Sequence, residues 1–292
     1  MTTNGIVIGA GYTGARLAAQ LGAYGPVIAV TGSDASATRL AMTGLDARAW
    51  NLDSEQPAPF AAAEIGGVTL WYLAPPPDAG DDDPRLRNCL DRLPAVPRRI
   101  VYASTTGVYG DAAGGTVTED TPIAPGNERS QRRAAAEALV QQYAARSGAE
   151  WVVLRVPGIY GPGRLPLERI RRGAPVIAEA EAGPGNRIHV DDLVRCCLAA
   201  GTTLRVANRV FNVGDGEHAS TSEYFRKVAQ AAGLPPPPQL TRAEAQQRLS
   251  EGMWSFLADS RRVDTTRMRS ELGVLPRWQD LDEGIRASLG AD

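Results

Sequence analysis

The chain has 292 residues, of which 43% are hydrophobic, enough to fill a packed core and too many for a disordered chain. Its 31 basic and 33 acidic side chains leave a formal net charge of −2 without a basic stripe, which argues against nucleic acid as a partner. No stretch is long and apolar enough to cross a bilayer, and no basic residue precedes the first apolar run. We therefore expect a cytoplasmic protein without a membrane partner.

Apolar runs rich in valine and isoleucine alternate with helix-forming segments through the first half of the chain. Such runs are typical of strands that are buried on both faces. We predict strands at 5–9, 27–31, 68–73, 99–103 and 151–156, and helices at 12–21, 35–42, 84–93 and 130–146. This alternation predicts an α/β fold of the Rossmann type, with a doubly wound parallel sheet.

A glycine-rich turn follows the first predicted strand. Gly9, Gly11 and Gly14 form the pattern G-x-G-x-x-G at the start of the first helix. In a dinucleotide-binding turn the first glycine permits the sharp bend, the second admits a diphosphate and the third lets the helix pack on the strand. We therefore predict that this turn, with Tyr12 and Thr13, binds the diphosphate of NAD or NADP at the helix N-terminus.

The end of the second predicted strand bears on the choice between these two cofactors. No acidic residue that could bind a ribose 2′-hydroxyl directly follows Thr31, which favours NADP. Ser33 and Arg39 are the candidate ligands of a 2′-phosphate, whereas Asp34 is the residue that would favour NAD. Alternatively, Asp34 and Ser36 simply cap the next helix.

The pattern becomes looser after Gly158. We predict helices at 166–172, 191–200, 243–249, 265–272 and 281–289, strands near 189 and at 210–213, and an extended connector at the proline run 235–238. We also expect Asp191 or Asp192 to cap the helix that follows. Residues 1–157, with 188–213, are expected to form the dinucleotide-binding domain, and residues 158–187 and 214–292 a smaller C-terminal substrate-binding region.

The cysteines and histidines show no metal-binding pattern. Cys89, Cys196 and Cys197 have a spacing that suits neither zinc nor a redox dithiol, and we interpret them as small buried hydrophobic residues. His189 and His218 are too far apart in sequence for a local metal motif. We therefore predict no metal centre.

Two segments carry a specific resemblance. Residues 101–111 read V-Y-A-S-T-T-G-V-Y-G-D, and residues 154–163 read L-R-V-P-G-I-Y-G-P-G. Both resemble the extended and atypical proteins of the short-chain dehydrogenase/reductase superfamily, which contains nucleotide-sugar epimerases and dehydratases. The resemblance spans nearly the whole chain and implies an NAD(P)-binding oxidoreductase, epimerase or dehydratase with a small-molecule substrate.

The resemblance assigns roles to individual residues. Thr105 matches the family's catalytic hydroxyl, which donates a hydrogen bond to a substrate oxygen on which charge develops. Its alternative role is that of a turn hydroxyl bonded to nearby backbone. Asn51 and Leu52 resemble the pair that touches the adenine, and Leu73 and Ala74 resemble the turn that lies along the cofactor.

The second segment is similar to the family's R-x-x-N-x-Y-G-P loop but departs from it at one position. Gly158 stands where the family has an asparagine that helps to hold nucleotide-sugar substrates, and this counts against such a substrate. Pro157 and Ile159 are still expected beside the nicotinamide.

The tyrosine and lysine that move the proton in this family are missing. Aligning the family's helix at residues 136–137 places Arg129 at the tyrosine position and Arg133 at the lysine position. Arg133 can bind the cofactor ribose, but Arg129 cannot carry a proton because guanidinium does not deprotonate at ordinary pH. Tyr109, Tyr160 and a bound water are the remaining candidates.

Two functions are therefore open. The cofactor motifs favour an NAD(P)-dependent enzyme whose catalytic candidates are Thr105, Arg133 and Tyr160. The missing pair favours a catalytically silent NAD(P)-binding regulator or sensor, in which residues 129–133 are only the charged opening of a helix. Because extended family members often dimerise through two helices, here 84–93 and 130–146, a homodimer is a further option.

Overall fold

The computed structural model describes residues 5–249, 254 and 259–290. A parallel sheet of seven strands forms its centre, in the order β3-β2-β1-β4-β5-β7-β11. The strands are β1 (Gly5–Ile8), β2 (Val27–Thr31), β3 (Asp46–Ala49), β4 (Thr69–Tyr72), β5 (Arg99–Thr105), β7 (Glu150–Val156) and β11 (Arg209–Asn212). The predicted Rossmann-type doubly wound sheet is confirmed.

Three pairs of short parallel strands lie outside the central sheet. They are β6 (Thr116–Val117) with β13 (Arg262–Val263), β8 (Gly158–Tyr160) with β10 (Arg187–His189), and β9 (Val176–Ile177) with β12 (Gln239–Leu240). Each pair joins segments that are distant in sequence. Two of the pairs, β6 with β13 and β9 with β12, therefore tie the segments that follow β5 and β7 to the C-terminal part of the chain, and β8 with β10 closes the segment that follows β7.

Nine of the described helices agree with the sequence prediction to within a few residues, and two others, at Ala62–Ile65 and Thr221–Ala231, were not predicted. They are α1 (Tyr12–Gly22), α2 (Asp34–Ala41), α3 (Ala62–Ile65), α4 (Pro84–Asp91), α5 (Glu128–Ser147), α6 (Leu167–Arg171), α7 (Val190–Thr202), α8 (Thr221–Ala231), α9 (Arg242–Arg248), α10 (Thr266–Ser270) and α11 (Leu281–Leu289), with 3-10 turns at Thr106–Tyr109 and Leu204–Val206. None of the helices described combines the length and the apolar character that a membrane crossing requires.

Helices cover both faces of the central sheet. Successive side chains of a strand point to opposite faces, so each buried strand serves two clusters. Val7 of β1 belongs to the same buried cluster as Leu17 of α1 and Leu193 of α7, while its neighbour Ile6 belongs to the cluster on the other face, with Leu139 of α5. This double burial explains why the strands read as continuous apolar runs.

A separate apolar cluster forms in the C-terminal half. It contains Tyr160 of β8, Ile170 of α6, Phe225 of α8 and Ile285 of α11. These residues come from both segments that the sequence analysis groups into a smaller substrate-binding region. The division of the chain into two domains stays a prediction.

The three cysteines are buried, as predicted. Cys89, Cys196 and Cys197 are free thiols with no exposed surface. Burial raises the pKa of Cys197 to about 12, so that this thiol stays protonated at neutral pH. The cysteines therefore act as small hydrophobic side chains between the sheet and its helices.

Candidate functional site

The three glycines of the turn between β1 and α1 have different surroundings. Gly9 has a φ of +88°, and a Cβ there would lie 2.3 Å from the amide nitrogen of Ala74. A Cβ at Gly14 would lie 2.4 Å from the carbonyl oxygen of Gly9. At Gly11, by contrast, no atom of the described residues lies within 4 Å of the Cβ position. Two glycines therefore let the backbone close up, and Gly11 borders an open hollow.

The N-terminus of α1 faces this hollow. Gly11 is the N-cap, and no side chain among the described residues caps the first turn of the helix. The turn itself is held by the amides of Gly9 and Ala10, which both donate to the carbonyl of Val30. Uncapped amides at the positive end of a helix form an anion site, so the hollow fits a diphosphate.

The hollow opens into a first cavity of about 830 Å³ at the carboxyl edge of the sheet. A volume of this size suits a ligand of cofactor or substrate size. The predicted cofactor residues in its wall are Gly9, Gly11, Tyr12, Thr13, Gly14, Arg39, Leu73, Arg133, Pro157 and Ile159. Four other predicted residues, Ser33, Asn51, Leu52 and Ala74, lie outside the wall.

The polar residues beyond β2 differ from the prediction. Ser33 is the N-cap of α2, and its Oγ accepts a hydrogen bond from the amide of Ser36. Ser36 rather than Ser33 lines the first cavity, where its Oγ accepts from Nη2 of Arg39 at 3.0 Å. The alternative that Asp34 or Ser36 caps this helix is therefore wrong. The structure pairs Ser36 with Arg39 at this end of the cavity.

Asn51 and Leu52 have local structural roles. The Oδ1 atom of Asn51 accepts from the amide of Asp53 at 3.0 Å, and Leu52 packs into the core. Ala74 lies against Gly9, where its backbone closes the turn. The resemblance implied cofactor contacts for Asn51, Leu52 and Ala74; none of the three lines the first cavity, and their contacts with a cofactor stay predictions.

Arg133 lies at the other end of the first cavity. Its Nη1 donates to the carbonyl of Ala103 at 3.1 Å and to the hydroxyl of Tyr102 at 3.2 Å. These two bonds hold the guanidinium at the wall, and its Nε and Nη2 have no partner among the described residues. Arg133 can therefore donate to a ligand from a fixed position, which is the task that the resemblance implied for it.

Thr105 is the last residue of β5. Its Oγ1 accepts from the amide of Gly107 at 3.1 Å and so caps the 3-10 turn Thr106–Tyr109. A hydroxyl that accepts one bond still has its own hydrogen to donate. The turn role and the donor role, which the sequence left as alternatives, are therefore compatible in this geometry.

A buried polar network fixes the end of β5. Ser104 donates to Oε1 of Glu137 at 2.5 Å, and Arg155 forms an ion pair with the same carboxylate at 2.8 Å. The side chains of Arg155 and Glu137 are only 7% and 4% exposed. Arg155 also donates to the hydroxyl of Tyr109. This network positions the strand end that carries Thr105, and the sequence analysis did not predict it.

A second cavity of about 910 Å³ adjoins the first. Both cavities share Thr105, Arg129 and Pro157. The second is lined by the N-terminal turn of α5, residues 182–187, the start of α8, Asp259 and Arg261. The sequence pattern did not indicate this cavity, because the segments that form its wall meet only in the folded chain.

Neither candidate tyrosine reaches a cavity wall. Tyr160 is 1% exposed, and its hydroxyl lies so close to Gly284 that a Cβ there would be 2.2 Å away. Burial raises the pKa of Tyr160 far above its usual range. The hydroxyl of Tyr109 donates to Oδ1 of Asn212 inside the buried network. Tyr160 is thus packed outside both cavities, a position that does not favour its predicted catalytic role.

The cap of α7 also differs from the prediction. The Nδ1 atom of His189 accepts from the amide of Asp191 at 3.2 Å, and His189 is the N-cap. Asp192 instead accepts hydrogen bonds from the amides of Arg277 and Trp278. The expectation that Asp191 or Asp192 caps the helix is therefore wrong. Asp192 ties the C-terminal segment to α7.

Asp215 allows a prediction about pH. Burial raises the pKa of its carboxyl to about 8, although Arg187 nearby lowers it. The folded chain therefore holds a proton that the unfolded chain releases near pH 4. This contribution to stability is complete below about pH 4 and is lost as the pH rises towards 8. Asp215→Asn cannot ionise, so its stability relative to the unmodified chain should increase from pH 5 to pH 8 in urea unfolding. A difference independent of pH would contradict the assignment.

The parallel sheet, the uncapped helix N-terminus and the glycine turn define a dinucleotide-binding protein of the Rossmann type. Comparison with known families gives the same result. Residues 6–214 match the model of the NAD dependent epimerase/dehydratase family. The chain belongs to this family.

Individual relatives are similar at moderate identity. A dTDP-glucose 4,6-dehydratase of Streptomyces griseus is 31% identical over 204 residues, which are 65% of this chain and 57% of that protein. The chain thus spans little more than half the length of this relative. A functionally unknown conserved protein from Silicibacter pomeroyi is 28% identical over 99% of both chains, with a TM-score of 0.83. MoeE5, solved with UDP-glucose and NAD, is 25% identical over 98% of this chain and 97% of its own, with a TM-score of 0.76.

Proposed function

We propose that the chain is an NAD(P)-dependent oxidoreductase of the epimerase, dehydratase or reductase kind, acting on a small molecule. The observation that carries the proposal is the junction of the two cavities. The first extends from the hollow at Gly11 to Thr105, where the second begins. A cofactor in one and a substrate in the other would meet at this strand end. The binding of UDP-glucose and NAD by MoeE5 supports such a division of the site.

In this proposal some residues of the site bind the cofactor and Thr105 polarises the substrate. Bound in the first cavity, a nicotinamide dinucleotide supplies or accepts a hydride. The amides of α1 would bind its diphosphate and Arg133 would donate to its ribose. Thr105 would donate its hydroxyl hydrogen to a substrate oxygen on which negative charge develops.

Water carries the proton in this proposal. Tyr12 is the one tyrosine among the described residues that lines either of these two cavities. Its hydroxyl donates to the carbonyl of Pro162 at 2.8 Å. Arg129 stands at the junction, but a guanidinium keeps its proton at ordinary pH. The protein side chains therefore bind and polarise, and proton exchange takes place with solvent.

Fluorescence titration of NADPH and NADH with the purified protein tests the first step. Saturable quenching or enhancement with either cofactor is the expected result. The absence of saturable binding to both would refute the proposal. Turnover is tested separately by following the absorbance of the reduced cofactor with candidate carbonyl substrates, with Thr105→Val as the variant that should slow it.

We propose further that NADP is preferred. The support is the pair of Ser36 and Arg39 in the wall beyond β2. Asp34, the exposed first residue of α2, does not line this cavity. Arg39→Ala should weaken NADPH binding by about tenfold and leave NADH binding nearly unchanged, because only NADPH carries the 2′-phosphate. Parallel fluorescence titrations measure both affinities. Equal losses for the two cofactors would contradict the preference.

A catalytically silent regulator that senses the dinucleotide is the second candidate. The arginine at the position of the family's tyrosine, together with the burial of Tyr109 and Tyr160, favours it. The two candidates differ in turnover rather than in cofactor binding. A substrate whose conversion depends on Thr105 would exclude the regulator.

The remaining predictions concern organisation. We propose that residues 158–187 and 214–292 form the substrate-binding region, that the protein works in the cytoplasm, and that two copies associate through α4 and α5. The eight residues of α4 offer a short contact, so light scattering across a range of concentrations is the direct test of the dimer. A monomer at high concentration would refute it.

A further inference from the structure

The charges in the wall of the second cavity do not balance. Its charged side chains comprise four arginines and two carboxylates, namely Glu128, Arg129, Arg132, Arg187, Asp259 and Arg261. A water-filled cavity with an excess of fixed positive charge attracts anions. The four arginines differ in how many of their donors the protein itself uses.

Two of the arginines are occupied by the protein itself. Arg261 donates to the carbonyls of Gly110 and Thr106 and pairs with Asp259 at 2.7 Å. Arg187 donates to the carbonyl of Ala219 and lies over the ring of a tyrosine. Both are less than 9% exposed. They hold the wall together and contribute positive charge to it.

Arg132 has an unsatisfied donor. It is 5% exposed and its Nη1 donates to the carbonyl of Gly80, but its buried Nε has no partner among the described residues. Glu128 lies 3.7 Å from Arg132 Nη1, with a carboxylate that is 71% exposed. The N-terminal end of α5 thus carries more positive charge than its neighbours neutralise.

Arg129 has no hydrogen bond or ion pair with any described residue. It lies in the first turn of α5, a helix of 20 residues, and borders both cavities together with Thr105. Its guanidinium presents a planar fork of donors and cannot be a proton carrier. A planar carboxylate is the group that this fork matches, with two parallel hydrogen bonds.

We propose that the second cavity binds a carboxylic acid whose carboxylate is held by Arg129, beside the carbon that exchanges hydride. The positive end of α5 and the excess of arginines over carboxylates in the wall add to the attraction. This inference rests on the proposed function, since it places the acid next to the cofactor. Arg129 would then select substrates that carry a carboxylate. It does so at the position where the family has its proton-carrying tyrosine.

The test measures ligand binding rather than turnover. Protein saturated with NADP⁺ is titrated calorimetrically with benzoate, with its neutral isostere benzamide and with phenyl phosphate. We expect benzoate to bind at least about tenfold more tightly than benzamide, and Arg129→Gln to remove that difference. Arg129→Lys keeps the charge without the planar fork, so it should retain only part of the difference in affinity between benzoate and benzamide.

Arg205→Gln is the matched control, because Arg205 is an exposed arginine outside both cavities. It should bind benzoate as the unmodified protein does. The inference is overturned if benzoate fails to bind to NADP⁺-saturated protein, if Arg129→Gln binds it equally well, or if phenyl phosphate binds more tightly than benzoate. Failure of both NADP⁺ and NAD⁺ to bind would instead refute the proposed function, so the two failures are distinguishable.

Discussion

Gly11→Val is expected to abolish NADPH binding while the protein remains folded. The Cβ position of Gly11 faces open space, so the folded chain without ligand accepts a side chain there. The same side chain fills the hollow at the N-terminus of α1 and keeps a diphosphate from the helix amides. We expect affinity to fall about 100-fold or more, since several charge-assisted hydrogen bonds are lost together. Fluorescence titration measures the affinity, and urea unfolding should change by no more than about 1 kcal/mol.

Gly14→Val is the matched control for Gly11→Val. A Cβ at Gly14 would lie 2.4 Å from the backbone of Gly9, so this variant should lose about 1–3 kcal/mol of stability or more through overpacking. The contrast separates a glycine that the fold needs from one that the ligand needs. Unchanged NADPH binding by a folded Gly11→Val protein would contradict the proposed position of the diphosphate.

Arg155→Met should cost about 3–5 kcal/mol in the free energy of unfolding. Arg155 and Glu137 are both buried, and removal of the guanidinium leaves the carboxylate without its counter-charge. The effect should reach the site as well, because Glu137 also holds Ser104 at the end of β5. Urea unfolding followed by circular dichroism measures the loss.

Arg146→Met is the corresponding control on the same helix. Arg146 pairs with Asp91 at 3.4 Å, but both side chains are more than half exposed. A solvent-exposed ion pair contributes at most about 1 kcal/mol, so this variant should unfold almost as the unmodified protein does. Similar losses for Arg146→Met and Arg155→Met would show that burial does not determine the effect.

The central strands and the glycine turn could be predicted because local backbone geometry imposes their sequence patterns. The central strands were recognised because burial on both faces demands apolar residues at every position, and β3 was missed because Asp46 and Arg48 interrupt that pattern at the sheet edge. The glycine turn was recognised because its spacing follows from a strand, a bend and a helix in direct succession. In each case the physical cause lies within about twenty residues of chain.

The side chains of the site were predicted less well. Ser33 and Tyr160 both follow recognisable motifs, yet the first caps a helix and the second packs under α11. Spacing along the chain does not reveal which way a side chain turns once other elements pack against it. The position of Arg129 could not be predicted from spacing either, because the junction of the two cavities depends on the arrangement of β5, α5 and β8.

The sequence by itself determined the parallel sheet, the glycine turn and the absence of the family's tyrosine and lysine, since short-range backbone geometry and residue identity suffice for these. Only the tertiary structure decided that Gly11 stays uncovered, that Tyr109 and Tyr160 are withdrawn from the site, and that a second, positively charged cavity meets the first at Thr105. The physical reason is that burial and charge balance arise from segments brought together by packing. No single stretch of the chain contains that information.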